Sequence, residues 1–326
     1  MRGLRDQSLF VLWLITSIFG KLNIKNWWTR LASSPFYFLV KIVGDVKMIL
    51  LMGYLYDIIS SVNRRLRDLK MAKKVKDYYD LAYARDLSRR LQEASVAFDG
   101  QKFKLLLEKD LENLEFSQRQ ELLAKSIKDC LPLSYEDSLK VFEKILGPEL
   151  EGGLGMFSEG YWLWPIGKYV ELFGDKEFEL SAAFSKELTK RFTGEFSMRP
   201  LLARYPKATM ALLLEWSRDE NLRVRRLASE CMRIRLPWAK RQTVVLDYLE
   251  DFTTILTNLK DDRDKSIQKS VANNLNDLYK EDPDKFERIL QTWQKEELSP
   301  SCAWIIKHAS RTKNKKIATE DLCKKS

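Results

Sequence analysis

Apolar residues recur at spacings of three and four positions along almost all of the chain after residue 71. In residues 101–115 the stripe consists of Phe103, Leu106, Leu107, Leu111 and Leu114. This spacing places the apolar side chains on one face of an α-helix. Comparable stripes occupy residues 118–131, 136–147, 176–193, 207–217, 222–234, 243–260, 266–280 and 284–294. No convincing stretch alternates apolar and polar residues with period two, so the pattern predicts an all-α protein.

Residues 147–165 interrupt the helical pattern. They hold 5 of the 13 glycines and end in Trp162, Trp164 and Pro165. Glycine and proline interrupt regular secondary structure. The sequence therefore predicts a long loop, with helix resuming near Ile166 and the two tryptophans anchoring the loop by packing.

The C-terminal half of the chain looks repetitive, with a period of about 40 residues. Three apolar anchors share one register, and a small or branched apolar residue follows each anchor four positions later. The anchors are Val224, Ile267 and Ile305, and the followers are Ala228, Val271 and Ala309. Pairs of helices at this spacing are typical of HEAT-like solenoids. An irregular helical bundle is the alternative.

A basic residue stands two positions after each anchor of the repeat. These residues are Arg226, Lys269 and Lys307. Stacked helix pairs form a continuous concave face. Basic residues at the same position in successive repeats therefore form a row of positive charge along that face. Such a row matches a phosphate backbone. The repeat therefore predicts a groove that binds phosphates.

The net charge of +10 is distributed unevenly along the chain. Residues 1–70 carry 11 Lys/Arg and 4 Asp/Glu, whereas residues 71–326 carry 45 and 42. We therefore divide the chain into an atypical apolar and basic N-terminal segment, 1–70, and a helical domain, 71–326. Nucleic-acid binding by that domain has to rest on local basic clusters and not on bulk charge.

Three interpretations of residues 1–70 are open. The apolar run from Leu9 to Phe19 is too short to span a bilayer, which needs about 20 residues. Charged residues interrupt a second apolar stretch, from Phe36 to Ile59. The segment could bind a membrane surface, form an extra helical subdomain, or be absent from the mature protein if translation starts at Met71. We favour the third interpretation over membrane contact because the composition changes sharply at that residue.

A single histidine, His308, restricts the available chemistry. A metal site with several histidines is excluded. The four cysteines, Cys130, Cys231, Cys302 and Cys323, form no CxxC pair and are too few for a disulfide scaffold. We therefore expect a cytoplasmic protein with reduced thiols and no metal site, in which His308 packs or caps locally.

Two carboxylates, Glu230 and Asp277, lie within basic helical faces. Residues 218–241 contain eight Lys/Arg against three Asp/Glu, and Asp277 shares a stripe, predicted to be exposed, with Lys269 and Asn273. On charge pattern alone, ordinary ion pairing along a helix is the simpler explanation. Because both acids lie off the apolar stripes, we expect amide substitutions there to affect folding little.

Five stretches of the chain resemble the DNA alkylation repair glycosylases, and most closely the AlkC branch of the AlkC/AlkD family. They are 189–196 TKRFTGEF, 224–230 VRRLASE, 235–239 RLPWA, 270–277 SVANNLND and 304–309 WIIKHA. The resemblance covers about residues 75–312. The chain departs from the family pattern at Met232-Arg233-Ile234, where relatives have small residues and a proline. It departs again after Ala309, where the usual apolar continuation is missing.

The resemblance implies a HEAT-like fold that holds duplex DNA in its concave groove. It also implies base excision repair: hydrolysis of the N-glycosidic bond of cationic alkylated purines, chiefly N3-methyladenine, without flipping the base. The catalytic residues would be Glu195, Glu230, Asp277 and Trp238. The partner would be duplex DNA containing alkylated purines, bound by a monomer that needs neither a cofactor nor a metal.

A set of five basic residues is expected to bind phosphates in this groove: Arg225, Arg226, Lys269, Lys307 and Arg311. The rival hypothesis is a non-catalytic HEAT-like scaffold that binds nucleic acid or protein. The two hypotheses differ in where they put the three acids. A glycosylase needs them in one cluster, whereas a scaffold allows them to scatter over outer faces.

Overall fold

The computed structural model of the protein describes residues 73–153 and 155–323. This part contains fourteen α-helices and no β-strand, which confirms the all-α prediction. The helices are α1 Leu81–Ala94, α2 Gly100–Glu108, α3 Phe116–Cys130, α4 Tyr135–Ile145, α5 Trp164–Phe173, α6 Phe178–Thr189, α7 Glu195–Arg204, α8 Pro206–Trp216, α9 Leu222–Glu230, α10 Leu249–Leu259, α11 Lys265–Glu281, α12 Pro283–Trp293, α13 Pro300–Ala309 and α14 Arg311–Cys323.

The predicted segment 1–70 and the proposed start at Met71 lie outside the described residues, so their interpretation stays a prediction. Among the residues that are described, no helix combines the length and the apolar character needed to cross a bilayer.

Side-chain caps set where the helices of the C-terminal half begin. Asn221 accepts a hydrogen bond from the backbone N–H of Arg223 at the start of α9, and Asp264 does the same for Ser266 at the start of α11. Ser299 caps α13. Each cap satisfies one of the amides that a helix N-terminus leaves without an internal partner. Short polar turns therefore end one helix and start the next.

The repeat register predicted for the C-terminal half is confirmed. Helix α9 packs against α11, and α11 packs against α13. All six register residues are fully buried: Val224, Ala228, Ile267, Val271, Ile305 and Ala309. Helices α8 and α10 form a second, adjacent layer. Because each helix pair buries its apolar stripe against the next pair, the helices stack as a HEAT-like solenoid.

Helix α6 joins two apolar cores. The N-terminal core lies among α1 to α6 and includes Phe184 and Leu188 of α6. The C-terminal core runs from α6 to α13 and includes Ala182 of the same helix. One helix therefore contributes opposite faces to both cores, and the solenoid continues through it.

The loop predicted at 147–165 is shorter than expected, because α5 begins at Trp164 after a 3-10 turn at Tyr161–Leu163. Proline tolerates the first turn of a helix, so Pro165 starts α5 and does not delay it. Gly160 lies so close to the neighbouring chain that a Cβ there would come within 2.1 Å of the Arg191 carbonyl oxygen. This close approach holds the loop against the end of α6.

The helix predicted over 222–234 ends earlier, at Glu230. Residues 231–243, which we call the Trp238 loop, then run through successive turns before a 3-10 turn at Val244–Leu246. Cys231, Met232 and Ile234 are buried in the loop although they are not helical. The helical conformation that the apolar spacing predicted for residues 231–234 is therefore wrong, although these three apolar side chains are buried.

The tail after Ala309 forms α14, which packs on α11 through polar contacts. Asn276 is fully buried, and its Nδ2 donates to the Ala309 carbonyl oxygen at 2.7 Å and to Thr312 Oγ1 at 3.0 Å. Arg311 Nη2 donates to Asn273 Oδ1 at 2.9 Å. These hydrogen bonds replace the apolar continuation that the sequence lacks.

Candidate active site

Three carboxylates and two arginines alternate in one continuous chain of charges. Arg226 Nη1 lies 3.7 Å from Glu195 Oε2, and Arg226 Nη2 lies 4.0 Å from Glu230 Oε1. Arg233 Nη1 lies 3.1 Å from the same Glu230 oxygen, and Arg233 Nη2 lies 3.1 Å from Asp277 Oδ2. We call these five residues the acid–arginine chain. The three acids predicted from the sequence are therefore collected in one place, as the glycosylase hypothesis requires.

Three helices, α7, α9 and α11, position the acids. Glu195 is the first residue of α7, where the partial positive charge of the helix N-terminus favours a carboxylate. The Gly194 cap before it packs so closely that a Cβ would come within 2.6 Å of the Ser185 carbonyl oxygen. Glu230 ends α9, and Asp277 lies in the last turns of α11.

Glu195 is the least satisfied member of the chain. The residue is 4% exposed, and its Oε2, the oxygen that faces Arg226, has no hydrogen-bond partner. Burial raises the pKa of this carboxyl, and the negative charge of Glu230 adds to that effect, against the opposing charge of Arg226. A buried carboxylate oxygen that makes no hydrogen bond can accept a proton or a hydrogen bond from a molecule that enters the site.

Glu230 is held as a carboxylate by its neighbours. Burial opposes its ionisation, but the guanidinium groups of Arg226 and Arg233 outweigh that cost and lower its pKa. Asp277 differs, because burial raises its pKa in spite of Arg233 and of the backbone N–H of Arg235, which donates to Oδ2 at 3.3 Å. The acids therefore occupy distinct electrostatic environments within one cluster.

Trp238 stands on the surface. It is 59% exposed, and its backbone φ is +60°, a value that is an outlier for a bulky residue. Its indole ring lies 5.3 Å from the ring of Phe116 and 5.5 Å from that of the buried Trp164. Trp164 in turn contacts Phe196, the residue after Glu195, at 5.4 Å. This aromatic cluster connects the exposed indole to the helix that carries Glu195.

One expectation about the acids was wrong. Asp277 was expected on an exposed stripe, but it is only 1% exposed because Arg233 from the neighbouring repeat covers it. We now expect amide substitutions at Glu230 and Asp277 to destabilise the fold, because each would remove one of the two carboxylates that a buried guanidinium contacts. The helical periodicity predicted on which side of α11 Asp277 lies, but it did not show that another part of the protein packs against that side.

The sequence analysis also missed two residues of the site. Arg233 was noticed only as a departure from the family pattern, yet it bridges Glu230 and Asp277. Its spacing of three residues from Glu230 signals one of these contacts, but nothing local signals the second. Trp164 was interpreted as a loop anchor, and it is buried as expected but also lies at the centre of the aromatic cluster.

Two of the five predicted phosphate ligands are engaged inside the protein. Arg225 Nε donates to Asp262 Oδ2 at 2.8 Å, and its Nη1 donates to the backbone carbonyls of Asp219 and Glu220. Arg226 belongs to the acid–arginine chain. Both side chains therefore use their charge in contacts within the protein, and their assignment as phosphate ligands stays a prediction.

The other three predicted phosphate ligands are more accessible. Lys269 and Lys307 are exposed at equivalent positions on α11 and α13, as the repeat predicts. Arg311 is half-buried and donates through Nη1 to the His308 carbonyl oxygen. The imidazole of His308 itself stacks on Trp304 at 4.8 Å, so it packs locally as expected. Within residues 73–153 and 155–323, no group of three or more His, Cys, Asp or Glu side chains could hold a metal ion.

Comparison with known proteins identifies relatives of this chain. Residues 194–314 match the family model described as DNA alkylation repair enzyme. The solved structure of Pseudomonas fluorescens alkylpurine DNA glycosylase AlkC, bound to DNA containing an abasic site analogue, matches with a TM-score of 0.66 and 31% identity. That match covers 74% of this chain and 64% of AlkC. All members of the acid–arginine chain, and Trp238, fall inside the residues that match the family model.

A second relative is the uncharacterised protein YhaZ of Bacillus subtilis (strain 168). It is 35% identical over 207 residues, which make up 64% of this chain and 55% of YhaZ. The chain thus spans little more than half the length of YhaZ and just under two thirds of AlkC.

The two glutamates should differ in what they contribute to stability. Because the fold lowers the pKa of Glu230, its carboxylate stabilises the protein above its unfolded pKa, and this contribution is lost as the pH falls through the folded pKa. Glu230→Gln should therefore cost about 3–5 kcal/mol at neutral pH, the cost of breaking a buried ion pair from one side. For Glu195 the fold raises the pKa, so its contribution declines as the pH rises through that value. Glu195→Gln should therefore cost about 1 kcal/mol or less, or even stabilise.

Urea unfolding of the three proteins at neutral pH and at pH 4 measures this contrast. The difference in free energy of unfolding between wild type and Glu230→Gln should be smaller at pH 4 than at neutral pH. Glu220→Gln, an exposed acid, is the control and should change the free energy of unfolding by less than about 0.5 kcal/mol. Equal losses for both buried glutamates would contradict the electrostatic assignment.

Proposed function

We propose that the protein is a DNA glycosylase, on the premise that its residues 194–314 match the family model described as DNA alkylation repair enzyme. Its substrate would be a cationic alkylated purine, chiefly N3-methyladenine, in duplex DNA, and its reaction would be hydrolysis of the N-glycosidic bond. The observation that carries the proposal is the clustering of Glu195, Glu230 and Asp277, with the exposed indole of Trp238 connected to the helix of Glu195 through Trp164. A scaffold has no need to bury three acids together, because such burial is costly.

The chemistry of the substrate suits this site. An alkylated purine already carries a positive charge, so it is a good leaving group and needs no strong acid to protonate it. The remaining barrier is the positive charge that develops on the sugar as the bond breaks. Preorganised carboxylates stabilise such a charge, and this electrostatic effect is usually the largest single contribution of an enzyme. Glu230, held ionised by two arginines, fits this role.

Glu195 is our candidate for the group that directs water. Its Oε2 is buried without a hydrogen-bond partner, and its pKa is raised. A base with a pKa nearer to the working pH is more effective at taking a proton from an attacking water. In this division of roles Glu195 acts on the nucleophile, whereas Glu230 and Asp277 act on the sugar.

Trp238 is proposed to contact the damaged nucleotide. A cation facing an indole ring gains about 0.5–2 kcal/mol, depending on how far it is desolvated. The ring stands on the surface, which suits contact with a base that stays in the duplex. We therefore propose that the enzyme acts without flipping the base, unlike most enzymes that do chemistry on bases.

Base release from methylated DNA tests the proposal. The full chain should release N3-methyladenine from methylated duplex DNA in single-turnover assays. Glu195→Gln, Glu230→Gln and Asp277→Asn should each slow release roughly a hundredfold or more, the range seen when a preorganised electrostatic group is removed. The assays should be run below the melting temperature of every variant, with circular dichroism to confirm folding. Full activity in all three variants would remove these acids from the mechanism, and no release by wild type would favour the non-catalytic scaffold. Glu220→Gln should match wild type.

The pH dependence of release tests the role of Glu195. A general base works only when deprotonated, so the rate should fall as the pH drops through the raised pKa of Glu195. This loss should begin at a higher pH than the ordinary carboxyl value of about 4.5 would give. In Glu195→Gln the residual rate should lack that acidic limb. If the rate of Glu195→Gln falls at low pH in the same way as that of wild type, a group other than Glu195 is the one whose protonation slows release.

Phosphate binding is proposed for Lys269 and Lys307, with Arg311 as a further contact. Lys269→Ala and Lys307→Ala should each weaken binding to all duplex sequences alike and reduce the slope of affinity against salt concentration by about one. Arg225→Ala should leave the slope unchanged and lower thermal stability, because Arg225 is paired with Asp262. Fluorescence anisotropy across a salt series measures the slopes. Losses that depend on DNA sequence would show base readout instead.

A further inference from the structure

The Trp238 loop carries two side chains of the candidate site but contains no regular secondary structure. Arg233 bridges the acids from this loop, and Trp238 stands out from it with a strained backbone. A non-glycine residue in the left-handed region is strained and persists only where the surroundings hold it. Specific contacts must therefore hold the Trp238 loop in place.

Arg199 reaches both ends of the loop from α7. Its Nη1 donates to the carbonyl oxygen of Arg233 at 2.7 Å and to that of Cys231 at 3.2 Å. Its Nη2 donates to the carbonyl oxygen of Lys240 at 2.6 Å. One guanidinium therefore ties the entry and the exit of the loop to one point. The planar, rigid fork of arginine allows this, whereas a single ammonium group does not.

Gln242 completes the connection in the reverse direction. Its Nε2 donates to the backbone carbonyl of Arg199 at 3.1 Å, and its own backbone N–H donates to the carbonyl of Ile234 at 3.0 Å. The loop is thus closed on itself and fastened to α7. Arg199 lies on α7 one turn after Glu195, so the same helix carries an acid of the site and the fastening of the loop.

The arrangement is costly, which indicates a specific role. Arg199 is buried, and burial lowers its pKa. Among the described residues it forms no salt bridge with a carboxylate, and its charge is met by backbone carbonyl dipoles. A buried cation without a paired anion is a poor device for stability alone, because desolvation is only partly recovered.

We propose that Arg199 is a positioning residue: it fixes the Trp238 loop to α7, so that Glu195, Arg233 and the indole hold one geometry before DNA binds. The consequence for catalysis rests on the proposed function, whereas the consequence for the loop does not. Misplacement of a reacting group by about 1 Å can cost a hundredfold in rate, so the fastening matters although Arg199 touches no substrate.

Limited proteolysis tests the claim about the loop without any reference to activity. Trypsin cleaves after Arg235, Lys240 and Arg241, all of which lie in the loop. In the full chain, Arg199→Lys and Arg199→Met should each speed cleavage at these sites by at least about tenfold, because local opening of the loop becomes easier. Arg204→Lys, an exposed arginine on the same helix, should not change it. Mass spectrometry of the fragments assigns the cut sites.

Single-turnover base release tests the consequence for catalysis. Both Arg199 variants should slow release roughly a hundredfold at saturating protein. Their affinity for duplex DNA should stay within about threefold of wild type, since no phosphate contact is lost. Arg199→Lys keeps the charge and is the variant to use if Arg199→Met does not fold.

Proteolysis and base release together test whether Arg199 positions the loop. Lowered melting temperature without faster cleavage in the loop, or faster cleavage with unchanged release, would overturn the positioning role. If wild type releases no base, the proposed function fails, and the proteolysis still decides whether Arg199 holds the loop.

Discussion

The burial of three carboxylates in one place is the constraint that organises this protein. Carboxylates repel one another and lose hydration when buried, so they can share a site only if cations separate them. Arg226 and Arg233 supply those cations, and each lies between two acids. Each member of the acid–arginine chain therefore has to lie on an element whose position is fixed by its packing against other elements. This alternation also leaves one carboxylate oxygen, Oε2 of Glu195, without a hydrogen bond.

The solenoid is what makes the alternation possible. Glu195, Glu230 and Asp277 lie on α7, α9 and α11, which are separated in sequence by intervening helices. The direct packing of α9 on α11, with fully buried register residues, brings the end of one helix against the other. Hydrogen bonds between the repeats add to this contact. Ser229 Oγ donates to Ser270 Oγ at 2.7 Å, and Asn274 Nδ2 donates to the Ser229 carbonyl oxygen. The register of the repeat therefore sets the distances in the site.

The irregular elements add what helices alone do not provide. Because α9 ends at Glu230, the chain turns and returns Arg233 towards Asp277 within three residues. The same loop raises Trp238 to the surface against the ring of Trp164, which itself enters from the end of the glycine-rich loop. A helix continued through residue 234, as the apolar spacing predicts, would carry these side chains elsewhere. Breaking the regular pattern thus places both the bridging arginine and the exposed aromatic ring.

The sequence by itself determined the helices, their apolar faces and the repeat register, because these depend on spacings within a single helix or between neighbouring repeats. Val224, Ile267 and Ile305 are buried as their register predicts. The resemblance to the AlkC branch also named Glu195, Glu230, Asp277 and Trp238, which the fold collects. Only the tertiary structure decided the state of these residues. Asp277 is buried, Arg226 is enclosed between acids, and Arg225 is paired with Asp262, because partners from other repeats cover faces that are polar in sequence. Burial of a charge depends on what packs against it, and that information does not reside in the local pattern.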